Sequence, residues 1–234
     1  MLAPLVAALT TLVSPATPAA PLAAPVVVVD PGHDLRANLA TEPIGPGSTV
    51  RKIKDGGGTA GEAQVVLAVS LRLRTLLQRA GVRVVMTRTR TDSTSMGNVA
   101  RARIANRAGA ALFLRVHADG STSSASRGTH TLYPAVHTGW TDDIAAPSLR
   151  AARLVQAELV RSLGFPDAGL DRRGDLTGFN WSDRPAVLAE LGFLTNPTER
   201  RALTSTAGQQ RAAVGLCRGA LRFLRRRPGL CGAG

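Results

Sequence analysis

Val26-Val27-Val28-Val29-Asp30-Pro31-Gly32-His33 is the stretch from which the fold can be read. Four β-branched residues in a row favour an extended chain. Their lack of polar alternation predicts a strand covered on both faces, as in a parallel sheet between helix layers. Asp30-Pro31-Gly32 stops the strand, and a histidine follows at once.

The same grammar recurs downstream. Glu62 to Ala80 carries Val65, Val66, Val69, Leu73, Leu76 and Leu77 at helical spacing, with Gly81 as its stop. Val82 to Thr87 is the next strand and Asn98 to Ala108 the next helix. Ala111 to Val116 is a second apolar run, ending at His117. Gly128 to Tyr133 reads as a strand and Ser148 to Leu163 as a helix. Ala186 to Leu191 is a further strand. Asn196-Pro197-Thr198-Glu199 opens a helix: Asn as cap, Pro at the first position and Glu at the third. That helix runs to about Arg226, with a break expected near Gly208. Residues 34–61 read as a long loop joining His33 to Glu62, placed to gate a cleft, and residues 165–184 as irregular. Strands alternating with helices predict a single α/β domain, with a twisted, mostly parallel or mixed sheet flanked by helices on both faces.

The chain has 234 residues, 44% of them hydrophobic but only 3% aromatic, so its core is aliphatic. The formal net charge is +13, and all but two of the 29 basic residues are arginine, the exceptions being Lys52 and Lys54. Such a surface suits a polyanionic partner; GC-rich codons would produce the same arginine excess. With no interleaved aromatic motif, zinc-finger spacing or P-loop, no nucleic-acid partner is expected. Leu2 to Val13 is apolar over the length of a signal-peptide core and is followed by small residues and prolines to Pro25, although no Lys or Arg precedes it. Residues 1–25 are therefore read as signal and linker, 26–227 as the catalytic domain and 228–234 as a tail. The expected location is outside the cell, in the periplasmic or cell-wall space. No segment of the mature chain is expected to span a membrane. In an oxidising compartment Cys217 and Cys231 could staple the tail to the last helix, or they could stay free thiols.

Four histidines occur, at 33, 117, 130 and 137. His33, His117 and Glu190 fall at the carboxyl ends of expected strands, the edge where α/β sheets bind ligands. Glu62 opens a helix, whose dipole favours an ionised carboxylate. Two imidazoles and a carboxylate make a suitable set for catalytic zinc. Position alone leaves the alternative open: a histidine after a strand is often a hydrogen-bonded turn residue, and a helix-opening glutamate an electrostatic cap. His130 and His137 are read as structural or surface residues, Arg172 and Arg173 as a solvated surface pair with contact to a peptide carboxylate as the alternative, and Asp119 as a ligand orienter or a turn residue.

Four segments carry a resemblance. Val29-Asp30-Pro31-Gly32-His33, Gly61-Glu62, Val116-His117-Ala118-Asp119 and Ala189-Glu190-Leu191-Gly192-Phe193-Leu194-Thr195-Asn196 resemble, in order, the zinc-dependent N-acetylmuramoyl-L-alanine amidases of the Amidase_3 type. The likeness runs from about Val26 to Arg226. It implies that His33, Glu62 and His117 bind one Zn2+ per chain and that Glu190 is the catalytic acid/base. The implied reaction is hydrolysis of the amide between N-acetylmuramic acid and L-alanine of peptidoglycan, by a monomer. A non-catalytic wall-binding protein on the same fold is the alternative. Asp34 stands where the family commonly has Gly, and Arg115 where it has a small or apolar residue; these departures bear on substrate details.

Overall fold

The computed structural model describes residues 23–91 and 96–232; most of the expected signal and linker, and the last two residues of the tail, lie outside that range. The strands are β1 Val26–Pro31, β2 Asn38–Pro43, β3 Arg51–Asp55, β4 Arg83–Met86, β5 Leu112–Asp119, β6 Thr129–Pro134, β7 Asp167–Arg173 and β8 Ala186–Phe193. The helices are α1 Glu62–Arg79, α2 Asn98–Arg107, α3 Ala145–Leu163, α4 Thr177–Asn180, α5 Pro197–Thr204 and α6 Thr206–Phe223, with a final 3-10 turn over Pro228–Cys231.

Six strands form one sheet in the order β4-β1-β5-β8-β6-β7. Every pairing is parallel except that of β6 with β8, so the sheet is mixed but mostly parallel. Val27 and Val29 face a large apolar cluster built with α1, α3 and α6, while Val28 faces a smaller one with Ala102 and Ala105 of α2 and Phe179 of α4. All three valines are fully buried. Each such side chain contributes roughly 1.5–3 kcal/mol of transfer free energy. The absence of alternation in β1 thus reflects helix layers on both faces. Close packing of α6 on α3 relies on Gly215 and Gly219: a Cβ at Gly219 would stand 2.6 Å from the Val155 Cα.

Two expectations need correction. Residues 34–61 are not a loop: β2 and β3 pair as an antiparallel ribbon outside the main sheet. No face of the ribbon is covered along its length, and Leu39 and Ile53 stay exposed, so no hydrophobic period marked its strands. It is tied down at several points. Trp181 Nε1 donates to the Pro43 carbonyl at 2.9 Å, and Trp140 Nε1 to that of Pro46 at 3.0 Å. Lys52 Nζ lies 2.9 Å from Asp175 Oδ2. Residues 165–184 contain the edge strand β7 and the short helix α4. The charges Asp171, Arg172 and Arg173 protect that edge from further pairing, and they also hid it from a reading based on apolar runs. The helix break expected near Gly208 is present and falls at Ser205, whose Oγ caps α6 by accepting from Gly208 N at 3.0 Å. Gly208 serves close approach instead, since a Cβ there would meet the Ala202 carbonyl oxygen at 1.9 Å. Cys217 and Cys231 form a disulfide across a sequence separation of 14, tying the terminal turn to α6. No helix among the described residues is long and apolar enough to cross a membrane.

Candidate metal centre

The site lies at the carboxyl edge of β1, β5 and β8. After β1 the chain is held against β5 by the bond from Gly32 N to the Val116 carbonyl at 2.9 Å. A Cβ on Gly32 would collide with the His117 ring at 2.3–2.6 Å, so only glycine lets the two histidine-bearing strands end this close. His33 adopts φ 52, which swings its ring back over the strand ends. Arg88 fixes this turn to the start of α1, donating to the carbonyls of Pro31, Gly32 and Ala63 at 3.2, 2.8 and 2.9 Å. Beneath it, Asp30 is fully buried and meets the guanidinium groups of Arg101 and Arg115 at 2.5 and 2.8 Å and the Thr87 hydroxyl at 2.6 Å. Burial works against the Asp30 charge. The two arginines and Thr87 outweigh it and hold the carboxyl below the usual range.

Glu62 reaches the site from the first residue of α1. Its Oε2 accepts from Thr59 N at 2.9 Å and its Oε1 from Ala118 N at 3.2 Å. The same Oε1 stands 3.3 Å from His33 Nε2 and 3.1 Å from His117 Nδ1. One potential donor atom from each of the three residues lies within 4.8 Å of the others. Tetrahedral zinc, with bonds of about 2.0–2.1 Å, sets its ligands roughly 3.3 Å apart. The spacing therefore fits such an ion, as does a set of two imidazoles and a carboxylate. His117 is buried and its Nε2 has no partner among the described residues, a costly position for a polar atom with nothing to bind. Burial lowers the pKa of His117, in keeping with a neutral ring. Burial also opposes charge on Glu62, but its contacts to His117 and His33 keep it ionised, below the usual carboxylate range.

Sequence reasoning missed Asp55, the last residue of β3. Its Oδ1 lies 2.5 Å from His33 Nδ1 and accepts from Gly57 N at 2.8 Å. Burial disfavours the His33 cation, yet the bonds to Asp55 and Glu62 prevail and raise its pKa to about 9. A carboxylate on the far nitrogen of a metal-binding histidine fixes its ring and tautomer. The available signal was an acid just before Gly56-Gly57-Gly58. Gly58 is required there: a Cβ would sit 2.5 Å from Glu62 Oε2 and 2.6 Å from His33 Cδ2.

Glu190 lies in β8 opposite His117 of β5 and His130 of β6. Burial and the negative charges of Glu62 and Asp119 push its carboxyl well above the usual value, and its Oε2 has no partner among the described residues. The β5–β8 register shifts just after this residue. Glu199 braces the irregularity, accepting from Phe193 N and Gly128 N at 2.7 Å each. Asn196 caps α5 as expected, accepting from Thr198 N and Glu199 N, while the Glu199 side chain turns to the sheet. His130, expected to be structural or on the surface, is Glu190's cross-strand neighbour; it stacks on Phe193 and lies 3.6 Å from Asp119. His137 stacks on Trp140. Arg173 pairs with Asp171 and Asp175, and Arg172 is exposed. Asp34 bonds to the backbone of Leu35. Arg115 lines the same small cavity, of about 160 Å³, as His33 and His117, so this departure from the family pattern faces the site.

A family model described as N-acetylmuramoyl-L-alanine amidase, Amidase_3, matches residues 27–222. The chain is 35% identical over 235 residues to the N-acetylmuramoyl-L-alanine amidase Rv3717 of Mycobacterium tuberculosis, covering 94% of this chain and 95% of that protein. It is 27% identical over 218 residues to the germination-specific N-acetylmuramoyl-L-alanine amidase of Bacillus subtilis, with 87% and 81% covered. The solved structure of the N-acetylmuramyl-L-alanine amidase Ami1 from Mycobacterium smegmatis matches with a TM-score of 0.79 at 29% identity, over 87% of this chain and 98% of that one.

Proposed function

The chain belongs to the Amidase_3 family of N-acetylmuramoyl-L-alanine amidases, and from that premise we propose that it is a zinc-dependent hydrolase of peptidoglycan. The bond cut joins the lactyl group of N-acetylmuramic acid to the L-alanine of the stem peptide. The observation that carries this reading is the convergence of His33, Glu62 and His117 on one point at the sheet edge, with Glu190 beside His117 in the strand register.

In this reading His33, Glu62 and His117 hold one zinc ion. Such an ion supplies Lewis acidity, acidifying water and polarising the amide carbonyl. Glu190 takes the proton of the attacking water and passes it to the nitrogen of the departing amine. Its raised pKa supports that role, because a carboxyl that keeps its proton readily can also donate it to a leaving group. Glu62, ionised between two imidazoles, supports the separate role of ligand. Asp55 orients His33 as the ion's outer carboxylate.

We further propose that residues 1–25 direct export and are removed, and that 26–227 form the catalytic unit working in the cell wall. The test is mass spectrometry of purified peptidoglycan after incubation with the protein. Free stem peptides should appear and should vanish on chelation. Glu190→Ala should keep one zinc per chain yet release no peptide. A fully active Glu190→Ala protein would sink the assignment, and wall binding without any release would favour the non-catalytic alternative.

A further inference from the structure

A second concavity lies beside the one that holds the metal centre. It is a groove of about 610 Å³ between the β2–β3 ribbon and α2, within the size range of ligand sites. Arg51, Lys54, Arg103 and Arg107 line it. None of the four meets a carboxylate at ion-pair distance among the described residues. Glu42 is the one acid in the wall, and its oxygens are occupied by Asn98 N and Val99 N at 2.7 and 3.2 Å. Trp181 is fixed by its bond to the Pro43 carbonyl and carries Arg103 over its ring at 5.3 Å. Arg51 is oriented by the Thr41 hydroxyl and carbonyl at 2.9 and 2.8 Å. Four like charges in one concavity repel each other and draw in anions, since a cleft with low-dielectric walls focuses their field.

We propose that this groove binds the carboxylates of the peptidoglycan stem peptide and so orients the substrate across the metal centre. The inference rests on the amidase reading. The groove and the cavity holding His33 and His117 share Lys54 and Met96 in their walls, so an occupant can be continuous with the bond to be cut. On one side of that bond is the sugar, whose lactyl carboxyl is consumed in the amide and carries no charge. On the other is the peptide, with its free acidic groups. The cationic groove therefore takes the peptide side, leaving the glycan to the opposite side of the site.

The experiment compares two soluble muropeptides, one with free stem carboxylates and one with them converted to carboxamides. The double variant Arg103→Gln, Arg107→Gln should raise KM for the free-acid substrate about tenfold, the sum of two modest exposed ion pairs. The loss on the free-acid substrate should exceed that on the carboxamide at least about fivefold. Arg103→Lys with Arg107→Lys keeps the charge and should recover most of the affinity, which separates charge from damage to the fold. Equal losses on both substrates would overturn the inference, as would a loss seen only with intact walls bearing phosphate-rich polymers. If the parent chain cleaves neither muropeptide, the amidase reading falls first; cleavage with charge-independent losses removes this inference alone.

Discussion

Asp55 shows how much one side chain can decide at this site. It makes no approach to the cluster's centre, yet it sets which nitrogen of His33 faces Glu62. Asp55→Ala should leave the fold intact and weaken zinc binding about 10–100-fold, the usual cost of losing such an outer partner. Competition with a chromophoric chelator measures this directly, and an unchanged zinc affinity would mean that His33 is oriented by Glu62 and the backbone alone. Asp55→Asn keeps the shape and should lose less than Ala. Glu190 and Glu62 make the complementary point. Both are glutamates beside His117, but one is held ionised by its contacts and the other is pushed towards its protonated form by burial and neighbouring carboxylates. Environment separates a ligand from a proton carrier where residue type does not.

At the scale of elements, β1, β5 and α2 are locked together by buried charge. Asp30 leaves β1 to meet Arg101 of α2 and Arg115 of β5. Removing the anion takes from two buried guanidinium groups the carboxylate that they share. Asp30→Asn should therefore cost about 3–5 kcal/mol, read from urea unfolding near neutral pH. The pH dependence follows from the depressed pKa. A carboxyl held below its unfolded value of about 3.9 contributes fully above that pH, and the contribution is lost as the pH falls further. The stability gap between parent and variant should thus be wide at pH 6 and narrow towards pH 3. A gap independent of pH would show that the ionised carboxylate is not what stabilises the junction. The ribbon is the other element with consequences. Its ties to Trp181, Trp140, Asp175 and the start of α2 make it a fixed wall of the basic groove and the carrier of Asp55.

Over the whole molecule, the charge of +13 should act on the wall as a polymer as well as on single substrates. Sedimentation with purified walls should fall steeply between about 0.05 and 0.5 M salt, because exposed charges are screened as the Debye length shrinks. Binding that ignores salt would count against an electrostatic role. The sequence by itself determined the α/β architecture, because strands buried on both faces and one-sided helices carry their environment in their periodicity, as β1 and α1 do. It also marked His33, Glu62, His117 and Glu190, through short motifs at strand ends and a helix start. Only the tertiary structure decided that the first three share one point, that Asp55 backs His33, that Glu199 braces the strand beside Glu190, and that residues 34–61 form a ribbon. Each of these depends on contacts between residues far apart in the chain or on elements with no face turned to the core. Such placements leave no period to read: a polar side chain carries no local sign of which distant partner it will meet.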